Sequence, residues 1–334
     1  MEINTMIITP NELQEWVVQE KFFYVIDFRT EEQQKKLPLP DLNKFMKSIN
    51  EIEDDDRNPK VYICQYGLRT ESLIAEQNLE CAYSLLGGAL AWESLADDIV
   101  EHSKWSRQIS LPEIGNIGQK KISQATVTVV GIGGLGCPAA SILAACGVGK
   151  IILVDGDKVE LSNLHRQPIY GIEDIGKMKV DVASYQLLNK YEELQIDPVA
   201  KYINEENGKI LVQGSDIIID ATDNYESRAV IDSVSKEFSI PMVYGGLYRF
   251  EGQVSIFNYQ GGPSYRDIFP EAAFEKGVCS DAGVIGMLPG IIGNIQALEA
   301  IKILVGIEPN LSGNLLMYDG LSHKTTTIKL KKKI

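Results

Sequence analysis

A glycine-rich turn between a strand and a helix constrains the fold of this chain more than any other feature. Residues 127–130 (Val-Thr-Val-Val) have the apolar, β-branched composition of a buried strand. The next six residues, 131–136 (Gly-Ile-Gly-Gly-Leu-Gly), predict a sharp turn, and residues 138–146 predict a helix. A second apolar strand, over residues 151–154, ends at Asp155. This order predicts a βαβ unit of a doubly wound, Rossmann-like α/β fold that binds a nucleotide.

The turn suits a phosphate-bearing ligand for a physical reason. Glycines let the backbone approach a phosphate closely, and the N-terminus of the following helix favours negative charge. The carboxylate at the end of the second strand is placed to hold a ribose hydroxyl. The first predicted nucleotide-binding residues are therefore Gly131, Gly133, Gly134, Gly136 and Asp155. The turn alone is also typical of nicotinamide-dependent dehydrogenases, so that class stays an alternative.

The residues that follow favour ATP and Mg²⁺ over nicotinamide. Asn163 and Arg166 lie just past the second strand, and Arg166 offers a planar, permanently charged donor fork for phosphate oxygens. Lys179 begins a predicted helix and could neutralise charge that develops at an α-phosphate. Asp223 follows the apolar strand 217–219, at the sheet edge where a carboxylate can hold Mg²⁺ against a triphosphate. The remaining predicted cofactor-binding residues are Asp157, Ser162 and Asn224.

Residues 105–330 closely resemble the E1-like adenylyltransferases, which include the molybdopterin-synthase and thiazole-biosynthesis adenylyltransferases and the ubiquitin-activating enzymes. The resemblance is carried by residues 106–108, 131–136, 155–157, 162–167, 220–224 and 279–284. It implies that ATP is bound and activated by Gly134, Asp155, Asn163, Arg166, Lys179 and Asp223. It also implies a homodimer in which Arg107 reaches across to the neighbouring subunit's triphosphate.

The reaction implied by this resemblance joins AMP to the C-terminal glycine of a ubiquitin-like sulfur-carrier protein ending in Gly-Gly. The carrier's carboxylate attacks the α-phosphorus of ATP and pyrophosphate leaves, so the enzyme contributes positioning and charge neutralisation.

Many relatives also hold a structural zinc ion with two CxxC pairs. Residues 264–267 and 322–334 contain no cysteine here. We therefore expect no zinc site, and we expect packing alone to hold the segment 264–267.

Residues 1–100 predict a separate, small parallel α/β domain ahead of the adenylation domain, which is assigned to residues 101–334. Strands are predicted over residues 22–28, 61–64 and 82–86, and a helix over residues 71–78. Cys64 ends the second strand and begins a short loop before that helix. In such a loop the backbone N–H groups, Arg69 and the helix N-terminus would all lower the pKa of the thiol.

The loop 64–70 and the stretch 85–93 resemble a rhodanese sulfurtransferase, over about residues 8–100. The short Cys-to-Arg spacing favours a persulfide over phosphate, and the sulfur would come from a donor such as a cysteine desulfurase or thiosulfate. The family's usual His-Ile-Pro-Gly stretch is missing, so a degenerate domain kept for structure is the alternative.

Cys279 matches a cysteine of many E1-like relatives that bonds to the carrier or its sulfur, with a small buried thiol as its alternative. The predicted catalytic residues are thus Cys64, Arg107, Arg166, Lys179, Asp223 and Cys279.

Composition limits the classes of partner that the protein can bind and the cellular compartment in which we expect it. The chain of 334 residues carries a net charge of −14, and residues 1–100 hold 19 acidic and 9 basic residues, a net charge of −10. This balance argues against a nucleic-acid partner. No apolar run reaches the ~18 residues of a membrane span, and the N-terminus lacks the pattern of a signal peptide. Five cysteines without a CxxC pair indicate a reducing compartment, so we expect a cytoplasmic protein without a membrane partner.

Together the two predicted domains favour an enzyme that adenylates a sulfur carrier and then replaces AMP with sulfur. The product would be a thiocarboxylated carrier for the synthesis of molybdopterin, thiazole (for thiamine) or thiolated tRNA. Two alternatives from other classes stay open. One is a catalytically idle scaffold that binds a ubiquitin-like protein, and the other is an NAD-dependent oxidoreductase.

Overall fold

The computed structural model describes residues 6–51, 57–93, 104–270 and 283–331. The chain divides into two compact units, Met1–Lys120 and Lys121–Ile334. The predicted domain boundary at residue 100 lies ahead of the short helix Ser106–Ile109, which this division assigns to the first unit.

The first unit is built on a four-stranded parallel sheet, which confirms the predicted parallel α/β arrangement. Its strands, in the spatial order β1-β4-β3-β2, are β1 (Met6–Ile8), β2 (Tyr24–Asp27), β3 (Lys60–Ile63) and β4 (Ala82–Leu85). Its helices are α1 (Pro10–Val18), α2 (Glu31–Lys36), α3 (Leu68–Gln77), α4 (Gly88–Glu93), α5 (Ser106–Ile109) and α6 (Gly115–Gln124), and α6 runs into the second unit. Short 3₁₀ helices span Pro40–Phe45 and Ile49–Glu51.

Two elements of this unit, β1 and α1, go beyond what the sequence pattern predicts. β1 has only three residues and depends on parallel pairing with β4, where Ile7 lies opposite Ser84. α1 begins at a capping box, because Thr9 Oγ1 accepts from the Glu12 N–H (3.2 Å) and Glu12 accepts from the Thr9 N–H (2.9 Å). The helix contributes the fully buried Leu13 to the apolar core of the unit.

The second unit contains an eight-stranded sheet in the order β7-β6-β5-β8-β9-β10-β11-β12, parallel from β7 to β9 and antiparallel beyond. The strands are β5 (Thr126–Val130), β6 (Lys150–Val154), β7 (Gln195–Val199), β8 (Ile217–Asp220), β9 (Met242–Tyr248), β10 (Glu251–Phe257), β11 (Asn314–Asp319) and β12 (Lys324–Lys329). The helices are α7 (Gly136–Ala145), α8 (Lys179–Leu188), α9 (Gly208–Val212), α10 (Tyr225–Phe238), α11 (Tyr265–Ile268) and α12 (Met287–Val305). This topology confirms the doubly wound sheet predicted around residues 127–155.

The strand order itself creates a crevice. The chain runs outward from β5 through β6 to β7 and then returns to β8, on the other side of β5. In open parallel sheets, ligands bind at the carboxyl ends of the two strands where the order reverses. The glycine turn after β5 and the predicted residue Asp223 after β8 both lie at this place.

Two glycines of the turn are required by the protein itself. Gly131 has φ +89°, and a Cβ there would lie 2.7 Å from the carbonyl oxygen of Ala221. A Cβ at Gly136 would lie 1.8 Å from the carbonyl oxygen of Gly131. At Gly133, by contrast, a Cβ would make only an ordinary 3.6 Å contact, with the Gln167 amide. The backbone at Gly133 is therefore open toward whatever occupies the crevice.

Helix α12 is the core helix of the second unit, and it is longer than the predicted 293–305. By length and composition it is the one helix in the described ranges that could cross a membrane. Its contacts are those of a core helix, since Gln296 donates to the carbonyl oxygens of Asp220 (2.7 Å) and Val243 (3.0 Å). A Cβ at Gly293 would lie 2.4 Å from the Leu135 carbonyl oxygen, so α12 packs tightly behind the glycine turn.

The segment 264–267, which contains no cysteine, is held by polar contacts as well as by packing. Asp232 is fully buried and accepts hydrogen bonds from the Tyr265 N–H (2.8 Å) and from Asn258 (3.0 Å). Its second oxygen accepts from Arg266 Nε at 3.0 Å. The Tyr265 ring also packs among other aromatic rings, those of Tyr225, Tyr244, Phe257 and Phe269. The expectation that packing alone holds this segment is wrong.

Candidate active site

A cleft of about 580 Å³ opens at the carboxyl ends of β5, β6 and β8, in the second unit. Ten of the predicted nucleotide-binding residues line it: Gly131, Gly133, Gly134, Asp155, Asp157, Asn163, Arg166, Lys179, Asp223 and Asn224. Gly136 and Ser162 are not among the lining residues. Gly136 packs against the backbone of the turn, and the carbonyl of Ser162 accepts a hydrogen bond from Arg166.

Asp155 follows β6 and fastens the glycine turn to the end of that strand. Its carboxylate is 8% exposed and accepts from the N–H groups of Ile132 (2.7 Å) and Asp157 (2.7 Å). Burial raises the pKa of Asp155, although the charge of Lys179 and these two N–H groups oppose the shift. Each carboxylate oxygen has room for a further donor, so Asp155 can accept from a ribose hydroxyl as predicted.

Lys179 begins α8 and forms an ion pair at the edge of the cleft. Its Nζ lies 2.7 Å from Asp157 Oδ2, and the residue is 6% exposed. The hydroxyl of Tyr202 donates to the other oxygen of Asp157. Burial raises the pKa of Asp157, but the hydrogen bonds from Lys179 and Tyr202 outweigh it and hold that pKa below its usual range. Asp157 thus holds the ammonium group of Lys179 at the edge of the cleft. A phosphate in the cleft could replace Asp157 as the ion-pair partner of Lys179.

Arg166 and Asn163 are positioned by the short 3₁₀ helix Leu161–Asn163 that follows β6. Arg166 donates to the Ser162 carbonyl (2.8 Å), the one hydrogen bond of its guanidinium within the described residues. A guanidinium has five N–H donors, so most remain for phosphate oxygens. Asn163 is 7% exposed, and its oxygen accepts from the Glu160 N–H (3.1 Å). Its amide therefore serves first to shape the loop that carries Arg166.

Asp223 is exposed at the mouth of the cleft, directly before α10. The neighbouring Asn224 caps that helix, since its Oδ1 accepts from the Ser227 N–H at 2.8 Å. No cluster of three or more His, Cys, Asp or Glu side chains occurs in the described part of the chain. A single carboxylate beside a phosphate site nevertheless suits Mg²⁺, which takes one or two protein carboxylates and completes its shell with phosphates and water.

Sequence reasoning missed an ion pair between Asp220, which is fully buried, and Arg228, which lines the cleft. Asp220 is fully buried and accepts from the N–H (3.0 Å) and hydroxyl (2.6 Å) of Thr222. Arg228 Nε lies 3.5 Å from the other oxygen of Asp220, and its guanidinium carbon lies 5.0 Å from the centre of the Tyr244 ring. The sequence did offer one signal for this pair. Arg228 follows the helix cap Asn224 by four residues, which places it on the side of α10 that faces the sheet.

In the first unit, the loop between β3 and α3 surrounds the thiol of Cys64 with hydrogen-bond partners. The Gly67 N–H donates to Cys64 Sγ at 3.1 Å, and the Thr70 hydroxyl lies 3.6 Å from it. Gly67 has φ +84°, and a Cβ at Gly88 would lie 2.2 Å from the Cys64 carbonyl oxygen, so both positions require glycine. The helix begins at Leu68 rather than at residue 71, which brings its first N–H groups to the sulfur.

Burial raises the pKa of Cys64, but hydrogen bonds from Thr70 and from the backbone of Tyr66 and Arg69 bring it below the usual value. The guanidinium of Arg69 is exposed, and only the backbone N–H of that residue acts on the sulfur. The predicted lowering is therefore present, with the Thr70 side chain and the main chain, rather than the Arg69 side chain, responsible. Cys279 lies outside the described residues, and Arg107 is exposed on α5 of the first unit.

The fold and cleft define a class of protein: a doubly wound α/β unit whose switch-point cleft is lined by a glycine turn, several basic side chains and the carboxylate of Asp223. The ThiF family matches residues 105–334. That match covers more than half of the chain, so the chain belongs to the ThiF family. The predicted resemblance to E1-like adenylyltransferases is confirmed.

Several curated proteins are similar to this chain over its second part. A probable molybdopterin-synthase adenylyltransferase from Porphyra purpurea is 42% identical over 225 residues, covering 66% of this chain and 59% of that protein. Adenylyltransferase and sulfurtransferase MOCS3 from Xenopus laevis is 42% identical over 233 residues, covering 69% and 51%. Sulfur carrier protein adenylyltransferase from Thermus thermophilus is 40% identical over 230 residues, covering 66% and 84%. The chain thus spans only about half to three-fifths of the first two relatives.

Solved structures share the fold of the second part. E. coli MccB, in a crystal structure with ATP, matches with a TM-score of 0.60 at 20% identity, covering 70% of this chain and 73% of that one. PaaA matches with a TM-score of 0.60 at 26% identity, covering 69% and 73%. At such low identity, the likeness to MccB shows the fold alone.

Proposed function

We propose that this protein uses ATP to adenylate the C-terminal glycine of a ubiquitin-like sulfur-carrier protein, and that sulfur carried on Cys64 then displaces AMP. The observation that carries the first step is the cleft, where the glycine turn meets two cations, Arg166 and Lys179, and the carboxylate of Asp223. Two relatives named for adenylation of a sulfur carrier or of molybdopterin synthase support this reading. Molybdopterin synthesis is the pathway we favour for the carrier, with thiamine synthesis as the alternative.

ATP would lie with its phosphates on the glycine turn, where the N-terminus of α7 and the open backbone at Gly133 favour an anion. The ribose would be held by Asp155. Arg166 and Lys179 would neutralise charge on the α-phosphate, Lys179 by exchanging Asp157 for phosphate. Mg²⁺ held by Asp223 would neutralise the charge of the departing pyrophosphate.

In the first step, an oxygen of the carrier's terminal carboxylate bonds to the α-phosphorus, and the bond from phosphorus to the bridging oxygen of the β-phosphate breaks. Pyrophosphate leaves with that electron pair, and a carrier acyl-adenylate remains. The cleft continues from the nucleotide side to β9 and β10, where Gly246 and Gln253 line it. This extension is suited to an unbranched glycine tail, because the wall at Gly246 is main chain.

In the second step, Cys64 would first accept sulfur from a donor such as a cysteine desulfurase or thiosulfate. A thiolate is the attacking species, which the lowered pKa of Cys64 favours. The outer sulfur of the persulfide would attack the acyl carbon and expel AMP, leaving an acyl disulfide between carrier and Cys64. A thiolate would attack Cys64 Sγ, which breaks the disulfide, releases the thiocarboxylated carrier and leaves a mixed disulfide on Cys64; a second thiolate would break that disulfide and regenerate the Cys64 thiolate.

Exchange of labelled pyrophosphate into ATP tests the first step. We expect exchange only with a carrier ending in Gly-Gly, and we expect Asp223→Ala to lower Mg²⁺-dependent exchange by at least about 100-fold, the typical effect of removing a transition-state charge partner. Asp181→Ala removes an exposed carboxylate that does not line the cleft and serves as the matched control. ATP binding without exchange for any Gly-Gly carrier would favour the scaffold alternative, and full exchange by Asp223→Ala would show that another group holds Mg²⁺.

A further inference from the structure

The ring of Tyr202 lies on the side of the cleft where the base of a bound nucleotide belongs. In a doubly wound sheet, the phosphates lie after the first strand and the ribose at the acid after the second, so the base extends toward the third. These strands are β5, β6 and β7 here, and the Asp155 N–H at the end of β6 donates to Val199 at the end of β7 (3.2 Å). Tyr202 follows β7 closely and lines the same cleft.

The Tyr202 side chain is held by several contacts, although much of its surface is exposed. A Cβ built on Gly156 would lie 2.6 Å from Cδ2 and Cε2 of the ring, so the ring rests directly on the backbone there. Its hydroxyl donates to Asp157, and its carbonyl oxygen accepts from the Asn207 amide at 2.9 Å. The residue is still 64% exposed. A ring that is immobile before binding loses little entropy when a ligand packs on it.

The neighbouring wall of the cleft contains two apolar side chains in addition to the exposed Lys201. Val154, 1% exposed, and Ile203, 6% exposed, both line the cleft beside the loop that carries Tyr202. Apolar side chains together with one aromatic face suit a flat heterocycle, since bases stack on aromatic rings through their π-faces. The charged groups Arg166 and Lys179, which suit phosphate, belong to the segments after β6.

We propose that Tyr202 is the base-binding residue of the nucleotide site and that the adenine of ATP stacks on its exposed ring. The proposal rests on the proposed function in one respect, that ATP is the nucleotide. It separates two roles within one side chain. The ring binds the base, and the hydroxyl orients Asp157 and, through it, Lys179.

Fluorescence of 2-aminopurine riboside triphosphate tests this, because stacking quenches that base. We expect quenching with the wild-type protein and with Tyr202→Phe, which keeps the ring, and little quenching with Tyr202→Leu. We also expect Tyr202→Leu to bind ATP about tenfold more weakly than Tyr202→Phe does, a typical loss for one stacked base, while the two variants, which both lack the hydroxyl, bind inorganic tripolyphosphate equally tightly. Tyr185→Leu, at a 65% exposed tyrosine on α8 that does not line the cleft, is the matched control.

Three outcomes would overturn the proposal. Unchanged quenching in Tyr202→Leu would show that the base lies elsewhere. An equal loss of ATP and tripolyphosphate binding would assign Tyr202 to the phosphate site through Asp157. A loss of quenching in Tyr202→Phe as large as in Tyr202→Leu would show that the hydroxyl, not the ring, is responsible. Failure of the wild-type protein to bind ATP would instead count against the proposed function.

Discussion

Two buried cysteines show how strongly a thiol depends on its immediate neighbours. Cys137, on α7, is 1% exposed, and burial raises its pKa to about 12. Cys64 is 5% exposed, yet its pKa is lowered because the Thr70 hydroxyl and several backbone N–H groups form hydrogen bonds with the sulfur. Burial removes the hydration of both thiolates, but at Cys64 the hydrogen bonds to the sulfur outweigh that cost, whereas at Cys137 they do not. Cys137 therefore suits a core position, and Cys64 suits chemistry.

Replacing Thr70 tests whether a single neighbouring hydroxyl group lowers the pKa of Cys64. Thr70→Val keeps the shape but removes a donor to Cys64, so the pH midpoint of Cys64 alkylation should rise and the alkylation rate at neutral pH should fall. The sign follows because the folded pKa is depressed, and losing a donor to the thiolate moves it upward. Site-resolved mass spectrometry of iodoacetamide labelling measures both quantities.

Thr70→Ser retains the hydroxyl and should keep the wild-type midpoint. Ser84 still donates to the Gly67 carbonyl oxygen (3.0 Å) in either variant, so the loop keeps part of its internal bonding. An unchanged midpoint in Thr70→Val would mean that the backbone N–H groups alone control the thiol.

At the scale of elements, helix α10 links the cleft to the segment 264–267. Its first residues follow Asn224 and the predicted magnesium ligand Asp223, and Asp232 on the same helix holds the Tyr265 N–H and Arg266. A buried carboxylate needs such partners, since an unsatisfied one costs more than an ordinary lost hydrogen bond. These contacts connect residues far apart in the chain and hold a segment that contains no cysteine.

Arg266→Met should destabilise the second unit by about 1–3 kcal/mol, because buried Asp232 loses one of its donors. Thermal unfolding, monitored with a chelator present, measures the change and also tests the expectation that no zinc contributes. Lys209→Met is the matched control, since it breaks an exposed pair with Glu237 whose loss should cost less than about 1 kcal/mol. Equal midpoints for the two variants would show that Asp232 finds another donor, and a chelator-dependent midpoint would require zinc.

At the scale of the molecule, the chain combines two units with separate chemistry. The first holds Cys64 in a donor-lined loop, and the second holds the nucleotide cleft. Arg107 belongs to the first unit in the division of the chain, although the family match begins before it, at residue 105. Its predicted role, in the site of a neighbouring subunit, is therefore a property of an assembly.

A mixing experiment tests that assembly. Arg107→Ala and Asp223→Ala should each be inactive in pyrophosphate exchange, whereas subunits mixed by mild unfolding and refolding should recover about one quarter of wild-type activity. Half of the dimers formed from equal amounts are heterodimers, and each of these has one intact site of two. No recovery, with heterodimers demonstrated by mass spectrometry, would contradict action in trans. A monomeric wild-type protein in sedimentation would contradict the predicted homodimer itself.

Features that depend on neighbours in the chain were predictable from the sequence. The β-branched runs of β5, β6 and β8, the glycine turn and the position of Asp155 after β6 all follow from local composition and backbone freedom. So did the cleft side chains Arg166, Lys179 and Asp223, because strand ends in a doubly wound sheet meet at one edge. By contrast, β7 was not predicted, since its residues are mostly exposed and include Pro198, which breaks the apolar pattern.

Only the tertiary structure decided how those side chains are held. The Asp157–Lys179 and Asp157–Tyr202 contacts join residues 22 and 45 positions apart, and the Asp232–Arg266 pair spans 34 positions. Such pairings depend on the tertiary fold, which brings distant segments together. Residue type and spacing along the sequence do not specify them. The sequence by itself therefore determined the fold class and the chemistry of the cleft. Folding decided that Tyr202, after β7, lies against Asp157 at the cleft and that an ion pair secures the segment 264–267.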